Sequence, residues 1–166
     1  VNVETIIATL EMQAEVYDQL LALAKEKTPY LVHNKVDLLN ATIQKERKLL
    51  KTAEELEQQR MRLSGQYFTS LNMLRYKGGK ISEMIKTVTS PYEKQRLTEL
   101  HVRLTDSLGE LKNVTQLNQQ LIEQSLKFID YSIDLLMDDP NSEYTYQHPQ
   151  NNTRGKNPYA RYDQRR

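Results

Sequence analysis

Apolar residues along this chain alternate between spacings of four and three. Val3, Ile7, Leu10, Ala14, Tyr17, Leu21, Ala24, Thr28 and Leu31 keep that rhythm unbroken, which on an α-helix lines up one narrow seam. Pro29 lies inside this stretch and removes one backbone donor. Because the period resumes at Leu31, the pattern predicts a bent helix and not a stop. The rhythm breaks at Asn34-Lys35, where asparagine tolerates the left-handed cap conformation and Asp37 is placed to begin a second helix. Leu39, Ile43, Leu50, Ala53, Leu56 and Leu63 then continue the pattern from Asp37 to Leu63, with Glu46 and Arg60 falling on or beside the seam. Two such helices joined by a short turn predict an antiparallel hairpin. Past Gly65 the pattern dissolves through Gln66 to Lys77, Gly78-Gly79 reads as a flexible connection, and Ile81 to Val88 reads as a short bridging helix.

A very long helix follows. Ser90-Pro91-Tyr92-Glu93 sets a hydroxyl at the N-cap, proline at the first helical position and a carboxylate three residues beyond the cap, a strong start signal. Only Gly109 interrupts good helix formers before Asp138-Asp139-Pro140 ends the pattern, so this helix would run roughly 70 Å at 1.5 Å per residue. Its apolar content changes along its length. Leu97, Leu100, Val102, Leu104, Leu108, Leu111 and Val114 are spaced thinly, whereas Leu117, Leu121, Ile122, Leu126, Phe128, Ile129, Tyr131, Ile133, Leu135, Leu136 and Met137 crowd the second half. Asn118, Ser125 and Ser132 recur every seven residues beside the pairs Leu121/Ile122, Phe128/Ile129 and Leu135/Leu136, marking a face that another helix can approach. Leu121, Ile122, Ser125, Phe128, Ile129, Ser132 and Leu135 are therefore the candidate partner-binding strip. A core position within the same chain is the plainer alternative.

Composition narrows the class. The chain has 166 residues, 27% of them charged and 7% aromatic, with no tryptophan and five glycines; this predicts an all-α fold, an elongated bundle or coiled coil. Without cysteine there is no disulfide scaffold and no thiolate chemistry, which suits a reducing compartment. No stretch is apolar for long enough to span a membrane and no signal-peptide pattern opens the chain, so a cytoplasmic location is expected, and the sequons at Asn40, Asn113 and Asn151 read as chance matches. A net charge of +1 gives no general attraction to nucleic acid.

Reaction chemistry is sparse. Gly78-Gly79-Lys80 resembles the end of a phosphate loop, but Leu74 stands where the first glycine belongs and Ile81 replaces the metal-binding hydroxyl. His33, His101 and His148 form no paired motif, and Asp139-Pro140-Asn141 lacks the glycine and glutamate of a calcium loop. Glu46 has no second acid, histidine or nucleophile placed beside it, and reads as half of a register-fixing ion pair or as a snorkelling side chain. The expectation is a non-enzyme without metal or cofactor.

Residues 138–166 differ in kind, with proline, tyrosine, Asn and Gln but no Leu, Ile, Val or Phe. Such a segment cannot bury enough surface to fold alone, so residues 1–137 are expected to form a helical domain and 138–166 a disordered tail. Near its end Arg154, Lys156, Arg161, Arg165 and Arg166 outnumber Asp163, and Tyr159 and Tyr162 are interleaved with them. That mixture is a candidate for protein contact and, more weakly, for nucleic acid.

Several segments carry a resemblance. Leu20-Leu21-Ala22-Leu23-Ala24-Lys25-Glu26-Lys27, the turn His33-Asn34-Lys35-Val36-Asp37-Leu38-Leu39, Gln44-Lys45-Glu46-Arg47-Lys48-Leu49-Leu50 with Glu57-Gln58-Gln59-Arg60, and Leu117-Asn118-Gln119-Gln120-Leu121-Ile122-Glu123-Gln124-Ser125-Leu126-Lys127-Phe128-Ile129 resemble the FlgN family of flagellar export chaperones over about residues 4–137. The ending Tyr162-Asp163-Gln164-Arg165 is similar as well. The resemblance implies a cytoplasmic chaperone that binds hook-filament junction (hook-associated) proteins before secretion and delivers them to the flagellar type III export apparatus, using no nucleotide or cofactor. The strip on the long helix would bind the client, and the tail with Tyr159 and Tyr162 is a candidate contact to the export machinery. A structural or adaptor coiled coil, self-associating through the same strip with no secretion role, is the alternative.

Overall fold

The structure, a computed structural model, describes residues 2–76 and 79–137. Among them lie four α-helices and a 3₁₀ turn: α1 (Val3–Val32), α2 (Val36–Ser70), the 3₁₀ turn Leu74–Tyr76, α3 (Ile81–Thr87) and α4 (Pro91–Leu136). The all-α expectation holds. Residues up to Phe128 form one compact unit, and the described residues from Ile129 to Met137 belong to a second.

Helix boundaries follow local chemistry. Asn2 caps α1, its side-chain oxygen accepting from the Glu4 amide at 3.1 Å. Pro29 stays inside the helix as expected. At the end of α1, Asn34 takes the left-handed conformation (φ 52°), and the Lys35 amide donates back to the Tyr30 carbonyl at 2.9 Å, the bond pattern of a Schellman cap. The end of α2 repeats the device: Asn72 has φ 57° and the Met73 amide reaches the Phe68 carbonyl at 2.9 Å. Ser90 caps α4 by accepting from the Glu93 amide at 3.4 Å. Gly109 does not interrupt α4, which is continuous from Pro91 to Leu136.

Two expectations need correction. The second helix begins at Val36, with Lys35 in the capping position and Asp37 in the first turn, and it continues to Ser70 instead of fading after Leu63. The reason is an aromatic cluster: Tyr67 and Phe68 are buried, their rings meet edge to face at 5.3 Å, Phe68 lies 5.7 Å from the Tyr76 ring, and the Tyr67 hydroxyl is 3.1 Å from that of Thr87. Burying those rings offsets the roughly 1 kcal/mol that Gly65 costs inside a helix. Nor is Gly79 a loose connector. It is buried with φ 64°, a Cβ there would lie 2.9 Å from Ser64 Cβ, and its carbonyl accepts from the Arg60 guanidinium.

Within the first unit, helix directions are written in the cross-helix pairs. Gln13 meets Glu57 at 2.9 Å and Lys27 meets Glu46 at 2.7 Å, so α2 runs antiparallel to α1. Glu46 is thus half of an ion pair, as expected. Glu11 pairs with Arg96, Asp18 with Arg103 at 2.6 Å and Lys25 with Glu110, a ladder repeating every seven residues, so α4 runs parallel to α1. Helix α1 is therefore flanked on two sides. Beside its predicted seam it carries a second buried row, Ile6, Thr9, Gln13, Val16 and Leu20, because it has two helices to pack against.

The core thins along the bundle. At one end Ile6, Leu10, Phe68, Met84 and Leu97, each fully or almost fully buried, join α1, α2, α3 and α4. A smaller cluster of Val16, Leu20, Ala53 and Leu56 follows, with Leu111 packed on it. Toward the hairpin turn the contacts become polar: the Lys27–Glu46 pair, and Asn118, which donates to the Ala24 carbonyl at 2.9 Å and accepts from the Thr28 hydroxyl at 2.7 Å.

Candidate functional site

Asn118 divides α4 by burial. It is the last buried residue of that helix, and the helix approaching its small polar side chain is the chain's own α1. The row of Asn118, Ser125 and Ser132 thus begins as an intramolecular seam. Leu121 and Ser125 continue it half-buried, the Ser125 hydroxyl donating to the Leu121 carbonyl at 3.0 Å.

From Ile122 a second row opens beside that seam. In the first unit it comprises Ile122 and Leu126, 39% and 56% exposed; in the second, Ile129, Ile133 and Leu136 repeat the same alternation of four and three, at 50%, 46% and 87%. The equivalent upstream positions are Leu108, Lys112, Thr115 and Gln119, so between Leu108 and Ile122 the row is polar, and from Ile122 it is continuously aliphatic. Among the predicted strip residues Ile122, Phe128, Ile129 and Leu135 are exposed, whereas Leu121, Ser125 and Ser132 are half-buried. Leu126, Ile133 and Leu136 share the row of Ile122 and Ile129 at a spacing visible in the sequence, and stand outside the predicted strip, which runs along the serine-marked row. Tyr159 and Tyr162 lie outside the described residues.

A charged row borders the aliphatic one. Glu123, Lys127, Asp130 and Asp134 each stand one position beyond an aliphatic residue. They are exposed, and among the described residues none forms an ion pair within 4 Å. Gln119 donates to Glu123 at 3.4 Å.

The remaining polar cluster is architectural. An open cleft of about 450 Å³ is lined by Gln13, Tyr17, Glu57, Arg60, Lys80 and His101 among others. The Arg60 guanidinium holds Glu57 below the ordinary glutamate range against the opposing pull of burial, with Gln13 assisting. Burial and the Glu57 charge push Tyr17 up. Arg60 also ties this node to the Gly79 carbonyl, which joins α2 to the segment before α3. Gln13, Glu57, Arg60 and the Gly79 carbonyl are thus joined in one hydrogen-bonded node. Among the described residues no His, Asp or Glu cluster could hold a metal, and no helix is long and apolar enough to cross a membrane.

What this arrangement leaves exposed is an aliphatic row on the end of α4. The description "FlgN protein" matches residues 2–154. The chain belongs to the FlgN family, the flagellar export chaperones. It is also 30% identical over 141 residues to the uncharacterized protein YvyG of Bacillus subtilis (strain 168), covering 85% of this chain and 84% of that protein. No solved structure matches. As a FlgN-family protein, this helical bundle has a general role as a flagellar export chaperone.

Proposed function

We propose that this protein holds flagellar hook-filament junction (hook-associated) proteins in the cytoplasm before type III secretion, covering their apolar helices with the exposed end of α4. The observation that carries this reading is the aliphatic row that opens at Ile122, beyond the last buried contact of α4. A subunit that polymerises outside the cell must keep its assembly helices covered inside it, and helix-on-helix pairing through residues spaced by four and three does this without cofactor or catalysis. Burial of several aliphatic side chains, each about 1.5 to 3 kcal/mol when fully covered, is ample for a reversible complex. Delivery to the export apparatus would follow from contacts elsewhere, for which Tyr159 and Tyr162 are the candidates.

The test is the double variant Ile122→Lys/Ile129→Lys, assayed by circular dichroism melting and by capture of hook-associated proteins from motile cells. An unchanged melt with capture lost is expected. Retained capture would place the client elsewhere, and a lost fold would show that the row is core.

A further inference from the structure

We infer that the helix received by the exposed end of α4 carries lysine or arginine along one flank of its apolar stripe, and that Glu123, Asp130 and Asp134 select it by charge. The inference rests on the docking face proposed above and adds the partner's chemistry. Three acids and a single lysine, Lys127, occupy the row next to Ile122, Leu126, Ile129 and Ile133. A helix lying on that aliphatic row places its own flanking positions against these carboxylates, as in paired coiled-coil helices.

The placement runs against the helix's own interest. Asp130 and Asp134 stand near the C-terminal end of α4, whose last turn holds no basic residue, and the negative end of a helix dipole disfavours carboxylates there. Upstream, Arg96, Arg103 and Glu110 each pair with a partner on α1, whereas no carboxylate of the terminal row has such a pair among the described residues. A second copy of this chain fits poorly, since its own α4 end offers only Lys127 as a cation against three acids. A client helix with a basic flank satisfies both rows at once.

The experiment uses the full chain and two synthetic amphipathic helices with leucine at the heptad a and d positions, one with lysine and one with glutamate at the flanking e and g positions. The lysine peptide should bind at least about ten-fold more tightly at low salt, from three rim pairs of ordinary strength, and the gap should shrink as salt is added. The triple variant Glu123→Lys/Asp130→Lys/Asp134→Lys should invert the preference, with an unchanged melting curve showing that it folds. Equal binding of both peptides, no binding of either, or lysine-peptide binding that survives Ile122→Ser/Ile129→Ser would overturn the inference. So would a concentration-dependent dimer in sedimentation that Ile129→Lys abolishes, because the occupant would then be a second copy. The two readings fail separately. Should the charge reversal leave capture of hook-associated proteins intact while Ile122→Lys/Ile129→Lys abolishes it, only the charge rule falls; should both leave capture intact, the docking face falls.

Discussion

Helix α1 and the terminal stretch of α4 are written in the same pattern and meet different fates. Each carries two adjoining rows spaced by four and three, apolar with polar residues interspersed. On α1 both rows are covered, one member of the second being Ile6 at 0% exposure, because α2 and α4 pack on its two sides. On α4 beyond Asn118 the corresponding positions are open, with Leu126 at 56% and Ile129 at 50%. A two-row helix calls for two neighbours, and the sequence pattern states that demand without saying who meets it. For α1 the chain answers; for the end of α4 the answer proposed above is a client.

The sharpest way to break that contrast is to place a lysine in each. Leu10→Lys puts an unpartnered charge among fully buried side chains, a cost of several kcal/mol, enough to abolish the folded state. Ile129→Lys should stay within about 0.5 kcal/mol of the parent, the usual range at an exposed site. Thermal melts of the two proteins decide the matter. A comparable loss from Ile129→Lys would mean that the two stretches are alike after all.

Smaller effects sharpen where the boundary lies. Asn118→Ala strips the Ala24 carbonyl and the Thr28 hydroxyl of a partner in a buried setting, and should destabilise by about 1 to 3 kcal/mol. The same change at Ser125 should cost far less. Two glycines make a parallel test. Gly79→Ala forces a Cβ against Ser64 at φ 64° and should cost about 2 kcal/mol, whereas Gly109→Ala meets nothing within 4 Å and should gain about 0.5 to 1 kcal/mol. Denaturant melts of all four resolve differences of this size.

Acid should weaken the covered region selectively. Arg60 holds Glu57 below its ordinary pKa, and at Asp18 the upward push of burial is outweighed by hydrogen bonds from Ser107 and Arg103, so it too is lowered. A carboxylate whose folded pKa is depressed adds stability that is complete above its unfolded pKa and disappears as pH falls through the folded one. The melting temperature should therefore decline as pH drops below the ordinary carboxylate range. Glu57→Gln should lie below the parent near neutrality and converge on it in acid; a constant gap at all pH values would remove Glu57 from the account.

How much of this could be read from residues alone depends on whether one row or several carried the signal. The α1 seam, the Asn34 turn, the Ser90 cap and the long α4 were legible because each rests on local spacing or capping chemistry. The extension of α2 through Tyr67 and Phe68 was not, since it depends on rings that meet Tyr76 and on burial under α3. Gly79 looked like slack because glycine pairs usually are; its closeness to Ser64 is a tertiary fact. In the strip, the seven-residue repeat of Asn118, Ser125 and Ser132 is the more regular signal, and Leu126, Ile133 and Leu136 lie on the row beside it. Which of the two rows lies open depends on how far α1 extends beside α4, and no periodicity encodes that.

The smallest expected effect separates the two stretches by charge. Lys25 and Glu110 form an exposed rung between α1 and α4, so Glu110→Lys sets two like charges together and should cost a few tenths of a kcal/mol, up to about 1. Salt should shrink that cost, and Lys25→Glu/Glu110→Lys should recover it. Asp134→Lys reverses a charge of the same kind at a carboxylate that forms no ion pair among the described residues. There it places a cation in the last helical turn, four residues after Asp130, and both the dipole and the i,i+4 pair favour it by a few tenths of a kcal/mol. The two reversals should therefore shift the melting temperature in opposite directions at low salt. If Asp134→Lys destabilises as Glu110→Lys does, its carboxylate already has a cation within the folded chain, and the end of α4 is covered in the way α1 is.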